Sequence, residues 1–281
     1  MKTHLDCYPC LFTQALNAAR LHTSDERILR SILDQVCRIL PELPFEATPP
    51  LFGREVYRIV AEMTKVRDPY KEIKKLCTKL ALELYPSLKK RIRASDDSLL
   101  TAIRIAIAGN VIDFGTTRTF DIREDLQIVL KQSFAVDHYR EFQRALGSAN
   151  NVLFIGDNAG ETVFDRLLIE ELGKPVIYVV REKPVINDAV YADAVEAGID
   201  QVAQILSSGS DAPGNILDLC SEEFIEAYGS ADMIISKGQG NYEALSEEAR
   251  PIFFLLKAKC QVIARDIGVE KGSIILMKRR I

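Results

Sequence analysis

Apolar residues recur every three or four positions along most of the first 145 residues, a spacing typical of amphipathic helices. This spacing predicts helices at residues 10–21, 24–40, 53–66, 70–84, 97–112 and 136–146. Ser24 is well placed to cap the second of these helices. The segment 97–112 is apolar on nearly every side, so we expect most of its surface to be buried.

After residue 150 short apolar runs alternate with amphipathic stretches. The runs predict strands at residues 152–155, 176–180, 201–206, 233–236, 252–256, 262–264 and 273–277. The stretches predict helices at residues 162–172, 189–197, 216–228 and 242–246. Such alternation is typical of a mostly parallel sheet with helices on both faces. The last three strands are close in sequence and could include antiparallel edge pairs.

The predicted fold class is therefore α/β. A Rossmann-like three-layer α/β/α domain with a mostly parallel sheet is expected at residues 149–281. An all-helical N-terminal region is expected at residues 1–148.

Composition excludes several classes of function. The net charge of −4 argues against a nucleic-acid partner, because no basic face is available to neutralise phosphates. No apolar run approaches the roughly 18 residues that cross a bilayer, so no membrane association is expected. The first residues lack the apolar core of a signal peptide, and a cytoplasmic location is expected.

Only two of the six cysteines, Cys7 and Cys10, lie close together in the sequence. One C-x-x-C is at best half of a zinc site. A redox pair normally lies in a thioredoxin-like strand-to-helix turn, which this segment does not resemble. Packing roles are favoured over metal or redox roles.

Polar and glycine residues follow four predicted strands at the point where each strand ends, in loops at residues 156–161, 181–188, 207–214 and 237–243. Parallel strands place such loops along one edge, where α/β sheets bind ligands. An adjacent acid and amide suit a divalent cation such as Mg or Mn, while cationic side chains and glycine turns suit a phosphoryl group. The candidate residues are Asp157, Asn158, Glu161, Arg181, Lys183, Asp188, Ser208, Gly209, Lys237, Gly238 and Asn241.

Each loop also has a simpler explanation. Asp157 and Asn158 could merely cap the following helix, and Lys237 alone could be a solvated charge. Convergence of four successive strand ends favours a site. Asn110, near the end of an apolar helix, either makes local hydrogen bonds or reaches the edge of the sheet to bind substrate.

Other nucleotide and phosphate folds fit less well. The loop at residues 156–161 lacks the full G-x-G-x-x-G pattern, and the chain has no G-x-x-x-x-G-K-[ST] motif. A haloacid-dehalogenase-like phosphatase would need a carboxylate at position 159, which is Ala159. A methyltransferase remains open, because it also places an acid and glycines after its first strand.

Several motifs occur together, in this order: CYPC at 7–10, DPY at 68–70, Gly109-Asn110 with Asp113, GDNAGE, KPVIND, KGQGNYE, AKC at 258–260 and ARDIG at 264–268. In this combination the chain resembles the metal-dependent damage-control phosphatase family, formerly a domain of unknown function. The similarity is greatest to the prokaryotic branch related to acidic-residue methyltransferase-like proteins.

The resemblance implies hydrolysis of phosphomonoesters of small metabolites, sugar phosphates or damaged phosphometabolites among them. It implies a divalent cation (Mn, Co, Ni or Mg) held by Asp157, Asn158 and Asp188, with Lys237 and its glycine loop binding the phosphate. These four residues are the predicted catalytic set. The resemblance also implies substrate contacts by Asn110, Glu161, Arg181, Lys183 and Asn241, and we expect Ser208, Gly209 and Gly238 to contribute as turn residues.

Two alternatives remain from other classes of function. One is a carboxyl methyltransferase that uses S-adenosylmethionine, and the other is a non-catalytic phosphometabolite-binding protein. The oligomeric state is not predicted.

Overall fold

The computed structural model describes residues 1–109 and 122–279, without the side chains of residues 122–126. The helices are α1 (Cys7–Arg20), α2 (Glu26–Ile39), α3 (Pro49–Thr64), α4 (Lys71–Arg93), α5 (Ser98–Gly109), α6 (Ile122–Lys131), α7 (Tyr139–Ser148), α8 (Thr162–Leu172), α9 (Tyr191–Glu196), α10 (Glu222–Ser230), α11 (Gln239–Leu245) and α12 (Gln261–Ile267). The strands are β1 (Phe134–Asp137), β2 (Val152–Ile155), β3 (Val176–Val180), β4 (Gln204–Ser207), β5 (Met233–Lys237), β6 (Ile252–Lys257) and β7 (Ile274–Arg279).

In the described part of the chain the strands form one sheet, in the order β1-β7-β6-β5-β2-β3-β4. The β6–β7 pair is antiparallel, and every other neighbouring pair is parallel. The predictions of an α/β fold and of an antiparallel pair among the last strands are confirmed. Strands β2, β3, β5 and β6 run in the same direction, so their carboxyl ends meet at one edge. We call this edge the rim.

Helices cover both faces of the sheet. One face packs against α4, α5, α7 and α8, and α5 is buried along most of its length, as its apolar sequence predicts. The opposite face packs against α10, α11 and α12. Helices α1, α2 and α3 form a separate apolar cluster, which also includes Val185 from the loop after β3. This cluster is called the cap.

Two predicted elements are wrong. Residues 262–264, predicted as a strand, lie inside helix α12, because a short buried apolar run has no periodicity that separates the two structures. Strand β1 lies in the region predicted to be all helical, and the helix predicted to begin at residue 136 begins at Tyr139. Only alternate residues of β1 are partly covered, so its sequence carries a weak strand signal. The domain boundary after residue 148 stays a prediction.

In the described part of the chain, no helix combines the length and apolarity that crossing a bilayer requires.

Candidate functional site

A cavity of about 450 Å³ lies between the rim and the cap. Its rim side includes Asp157 and Asn158 after β2, Asp188 after β3, and Lys259 after β6. Its cap side comes mainly from α1 and α3. A larger cleft of about 650 Å³ lies along α4, and none of the described candidate residues lines it. The rim cavity therefore carries the candidate chemistry.

Asp157, Asn158 and Asp188 converge on this cavity from two loops. The backbones of Asn158 and Asp188 form a β-bridge, and the Ala189 amide donates to the Asp157 carbonyl at 2.8 Å. The Asn158 side-chain nitrogen donates to Asp157 Oδ2 at 3.1 Å and to Glu161 Oε1 at 2.5 Å. These bonds commit the amide nitrogen and leave the amide oxygen as the atom available to a cation.

The cavity wall and the layer of residues directly beneath it contain more buried negative charge than positive charge. Four carboxylates and two cations, none more than 8% exposed, interact with one another: Asp157, Glu161, Asp165, Asp188, Arg181 and Lys237. With every group ionised, this cluster carries an excess of two negative charges. A divalent cation matches that excess, because buried charges are stable only when they are compensated.

The pKa values of the two candidate carboxylate ligands, Asp157 and Asp188, are raised, as an excess of buried negative charge predicts. Burial, followed by the negative charges of Asp188 and Glu161, raises the pKa of Asp157 well above its usual value. Burial also raises the pKa of Asp188, although the Arg181 guanidinium opposes the increase. A bound cation would favour the ionised form of both acids.

The candidate metal ligands are few, and all of them are oxygen atoms. In residues 1–109 and 122–279, no group of three or more His, Cys, Asp or Glu side chains is placed to hold a metal ion. Two carboxylates and one carboxamide would therefore leave several coordination positions for water or substrate oxygens. This composition fits Mg or Mn, which keep such ligands, better than a closed zinc site. The residues present fit a divalent cation.

Lys237 lies inside the protein rather than at the cavity. Its side chain is fully buried, and Nζ contacts Glu161 Oε2 at 3.0 Å and Asp165 Oδ1 at 2.6 Å. Burial lowers the pKa of this ammonium, but the charges of Asp165 and Glu161 outweigh burial and raise the pKa overall. The structure thus pairs Lys237 with internal carboxylates. Phosphate binding by Lys237 stays a prediction that this placement does not support.

Arg181, Glu161 and Asn241 also lie beneath the cavity wall. Each is at most 2% exposed, and none is among the described residues that line the cavity. Arg181 Nε donates to Asp188 Oδ2 at 2.7 Å, and Arg181 Nη2 donates to Asn241 Oδ1 at 3.0 Å. Direct substrate contact by these three residues stays a prediction. Their geometry indicates that they support the residues at the surface of the cavity.

The third predicted loop faces the cap rather than the candidate ligands. Ser208 is fully buried, and a Cβ added to Gly209 would lie 2.7 Å from the Ser221 backbone nitrogen. Arg54 of α3 pairs with Asp211 of this loop. Lys183 is exposed at the surface. Asn110, the remaining predicted substrate contact, lies outside the described residues.

The comparisons with known proteins match the whole chain. The family model described as the damage-control phosphatase ARMT1-like domain matches residues 3–275. The chain belongs to the damage-control phosphatase family. The recognition made from the sequence motifs is confirmed, and membership places the protein among phosphatases, which are hydrolases.

Relatives cover the chain almost completely. A damage-control phosphatase of Pyrococcus horikoshii is 34% identical over 100% of this chain and 99% of its own length. An uncharacterized protein of Methanocaldococcus jannaschii is 37% identical over 99% of this chain and 96% of its own. The crystal structure of a DUF89 family protein from Pyrococcus horikoshii superposes with a TM-score of 0.91 at 34% identity, covering all of both chains. The family fold is therefore shared end to end.

The candidate site residues did not include every residue that lines the cavity, although Lys259 belongs to the AKC motif at 258–260. Lys259, two residues beyond the end of β6, brings a partly exposed cation to the wall that holds Asp157. Gln14, Asn17 and Tyr57 come from the cap, far from the rim in sequence, and the Tyr57 hydroxyl donates to Gln14 Oε1 at 3.1 Å. The position of Lys259 at the rim could have been predicted from the sequence, because it follows β6, a strand parallel to β5. No sequence pattern indicated that the cap residues would line the cavity.

Three thiols, those of Cys7, Cys10 and Cys260, also line the cavity. None of these three thiols is in a disulfide. Burial raises the pKa of Cys7, so its thiol stays protonated near neutral pH. Because no three-ligand cluster occurs among the described side chains, the zinc interpretation of the C-x-x-C has no support.

We expect Gly238→Ala to weaken metal binding about tenfold or more. Gly238 has a φ of +79°, and a Cβ there would lie 1.8 Å from Asp157 Oδ2. Alanine would therefore displace a candidate ligand, besides adding roughly 1–2 kcal/mol of backbone strain. Displaced ligands lower metal affinity by about this factor or more. The measurement is the rise in melting temperature on adding MnCl₂.

Gly209→Ala is the matched control. Gly209 has a φ of +74°, and its added Cβ would meet Ser221, away from the cavity. It should lower stability by a similar amount and leave the MnCl₂ response intact. Equal responses of the two variants to MnCl₂ would contradict the placement of Gly238 against a metal ligand.

Glu243 should make stability depend on pH. This carboxyl lines the cavity and accepts a hydrogen bond from Gln239 Nε2 at 2.8 Å. Burial raises its pKa from 4.5 to about 7. Between these values the folded protein binds more protons than the unfolded chain, so the free energy of unfolding falls as pH rises. Glu243→Gln should therefore gain about 2 °C or more over wild type between pH 5 and pH 8, by thermal melts of metal-free protein. If the melting temperatures of wild type and Glu243→Gln differed by the same amount at every pH, Glu243 would ionise with an ordinary pKa.

Proposed function

We propose that this protein is a divalent-metal-dependent phosphomonoesterase that acts on small phosphorylated metabolites, sugar phosphates or damaged phosphometabolites. The observation that carries the proposal is the buried carboxylate cluster at the cavity wall, with its excess of two negative charges. Membership in the damage-control phosphatase family supports the same reaction. A cytoplasmic location is part of this proposal.

Asp157, Asp188 and the amide oxygen of Asn158 would hold the cation. When bound, a divalent metal ion supplies Lewis-acid polarisation of the phosphoryl group. The oxygen donors favour Mg and Mn, and the family resemblance adds Co and Ni as candidates. The protein's own contribution is to orient these side chains through hydrogen bonds, from Arg181 to Asp188 and from the Asn158 amide to Asp157 and Glu161.

Lys259 is the cation best placed to bind the phosphate. It lines the same cavity as Asp157, and its charge acts against the burial that raises the pKa of Asp157. A fixed ammonium at the phosphoryl oxygens would stabilise negative charge that develops in the transition state. The side chains of Gln14, Asn17 and Tyr57 would contact the organic part of the substrate. Amide and phenol groups suit the hydroxyls of a small polyol.

The test is phosphate release from p-nitrophenyl phosphate and from a panel of sugar phosphates, with Mn, Co, Ni or Mg added or with a chelator. We expect activity only with metal, and loss of activity in Lys259→Met through both a lower kcat and a raised KM. A protein that releases no phosphate with any metal would refute the proposal. Metal-independent binding of S-adenosylmethionine in calorimetry would favour a methyltransferase, and uptake of sugar phosphates without turnover would favour a binding protein.

A further inference from the structure

The side chain of Asn241 connects all four loops that follow β2, β3, β4 and β5. Its nitrogen donates to the carbonyl oxygens of Gly156 at 2.9 Å and Lys237 at 2.8 Å. Its oxygen accepts from Arg181 Nη2 at 3.0 Å, from the Asn215 backbone nitrogen at 3.1 Å and from Asn215 Nδ2 at 3.2 Å. Gly156 directly follows β2, Arg181 directly follows β3, Asn215 lies in the connection between β4 and α10, and Lys237 ends β5. One amide thus fixes the spacing of the rim.

These bonds are shielded from water. Asn241 and Asn215 are fully buried, and Arg181 is 2% exposed. Buried hydrogen bonds of this kind are costly to break, because each freed donor or acceptor loses its partner without gaining water. The hydrogen bonds of Asn241 therefore resist opening, and a change of this residue affects all four connections.

Two of the connections lead directly to the candidate metal ligands. Gly156 immediately precedes Asp157, so the bond to its carbonyl fixes the start of that loop. Arg181 donates through Nη2 to Asn241 and through Nε to Asp188 Oδ2, at 2.7 Å. Asn241 therefore orients the guanidinium that orients Asp188. Asn241 itself is not among the described residues that line the cavity.

We infer that Asn241 is a positioning residue, which holds Asp157 and Asp188 at the separation that a divalent cation requires. The inference rests on the proposed function, and it assigns Asn241 to the support of the metal ligands instead of to the substrate. Outer partners of metal ligands typically change metal affinity by about 10- to 100-fold when they are removed.

The experiment measures the Mn²⁺ dissociation constant of Asn241→Ala by calorimetry, at a temperature well below the melting point of every variant. We expect the constant to rise about 10- to 100-fold. The control is Leu168→Ala, which removes a fully buried apolar side chain from helix α8, outside the four rim loops. It should lower the melting temperature and leave the dissociation constant unchanged, because a purely structural loss does not move the ligands.

Arg181→Lys is the second variant, and it tests the positioning role even if Asn241→Ala does not fold. It keeps a positive charge beside Asp188 but cannot bridge Asp188 and Asn241 together. We expect its Mn²⁺ dissociation constant to rise about tenfold. Wild-type affinity in the folded variants would overturn the positioning role while leaving the proposed function in place. Wild-type protein that binds no Mn²⁺ would overturn the proposed function, and this inference with it.

Discussion

Asp157→Asn is expected to abolish metal-dependent phosphatase activity while raising the melting temperature of the metal-free protein. The activity falls because the variant loses a charged ligand, and a loss of several kcal/mol of transition-state stabilisation corresponds to about 10³-fold or more in kcat/KM. Stability rises because one of four crowded, buried carboxylates becomes neutral. Burial and the charges of Asp188 and Glu161 already raise the pKa of Asp157, so its ionised form opposes folding without metal.

Three measurements check this: phosphate release, the melting temperature without metal, and the shift that MnCl₂ produces. The shift should disappear in Asp157→Asn. Asp232→Asn is the matched control, since Asp232 accepts from the Asn150 backbone nitrogen at 2.7 Å at the opposite end of the sheet. This control should keep both activity and the MnCl₂ shift. A metal-free Asp157→Asn protein that melts below wild type would show that the cluster does not carry excess negative charge.

Lys237→Met is expected to destabilise the protein by about 3–5 kcal/mol, the usual cost of removing one partner from a buried ion pair. Glu161 and Asp165 would lose the ammonium that lies 3.0 Å and 2.6 Å from their oxygens. Already with Lys237 present, burial raises the pKa of Asp165 to about 6. In a two-state melt this corresponds to a fall of roughly 10 °C. Lys259→Met should leave the melting temperature nearly unchanged, because Lys259 is partly exposed at the cavity.

A compensated variant separates charge pairing from phosphate binding. Adding Glu161→Gln and Asp165→Asn to Lys237→Met removes the unpaired carboxylates and should recover much of the lost stability. If Lys237→Met instead melts like wild type and raises KM for phosphorylated substrates, the lysine binds phosphate as the sequence motif predicts, and the ion pairs are unimportant.

The fold was largely predictable because the second half of the chain has strong local patterns. Helix α8 was predicted at residues 162–172 and is observed as Thr162–Leu172, ending before Gly173 in the left-handed conformation. Strand β2 also coincides with its prediction. Failures came where an element is short. Three apolar residues inside α12 and four residues of the edge strand β1 are too few to show a period.

The position of Lys237 shows why the site was only partly predictable. The sequence placed the end of the strand at residue 236, which made Lys237 a loop residue facing ligand. In the structure β5 extends to Lys237, and the alternation of the strand directs this side chain to the same face as Met233 and Ile235. That face is covered by α8, which carries Asp165 and begins just after Glu161. An error of one residue in the end of the strand therefore separates the predicted position of Lys237, in a loop at the surface, from its observed position beside Glu161 and Asp165.

The cap contributed to the cavity without any signal in sequence. Gln14, Asn17 and Tyr57 look like ordinary polar positions on amphipathic helices, and only tertiary packing brings them to the rim. Convergence of Asp157, Asn158 and Asp188 could be predicted, because parallel strands bring successive loops together. Contributions from a separate helical cluster could not.

The strand order has a consequence for how the chain is made. Strand β7 lies between β1 and β6, and Phe134 pairs with Ile274. While a ribosome is still synthesising the segment before residue 274, β1 has no neighbour in the described sheet and β6 has an open edge beside it. Open edges of apolar strands invite pairing with other chains. Nascent chains of this protein should therefore depend on rapid release or on chaperones until the last strand closes the gap.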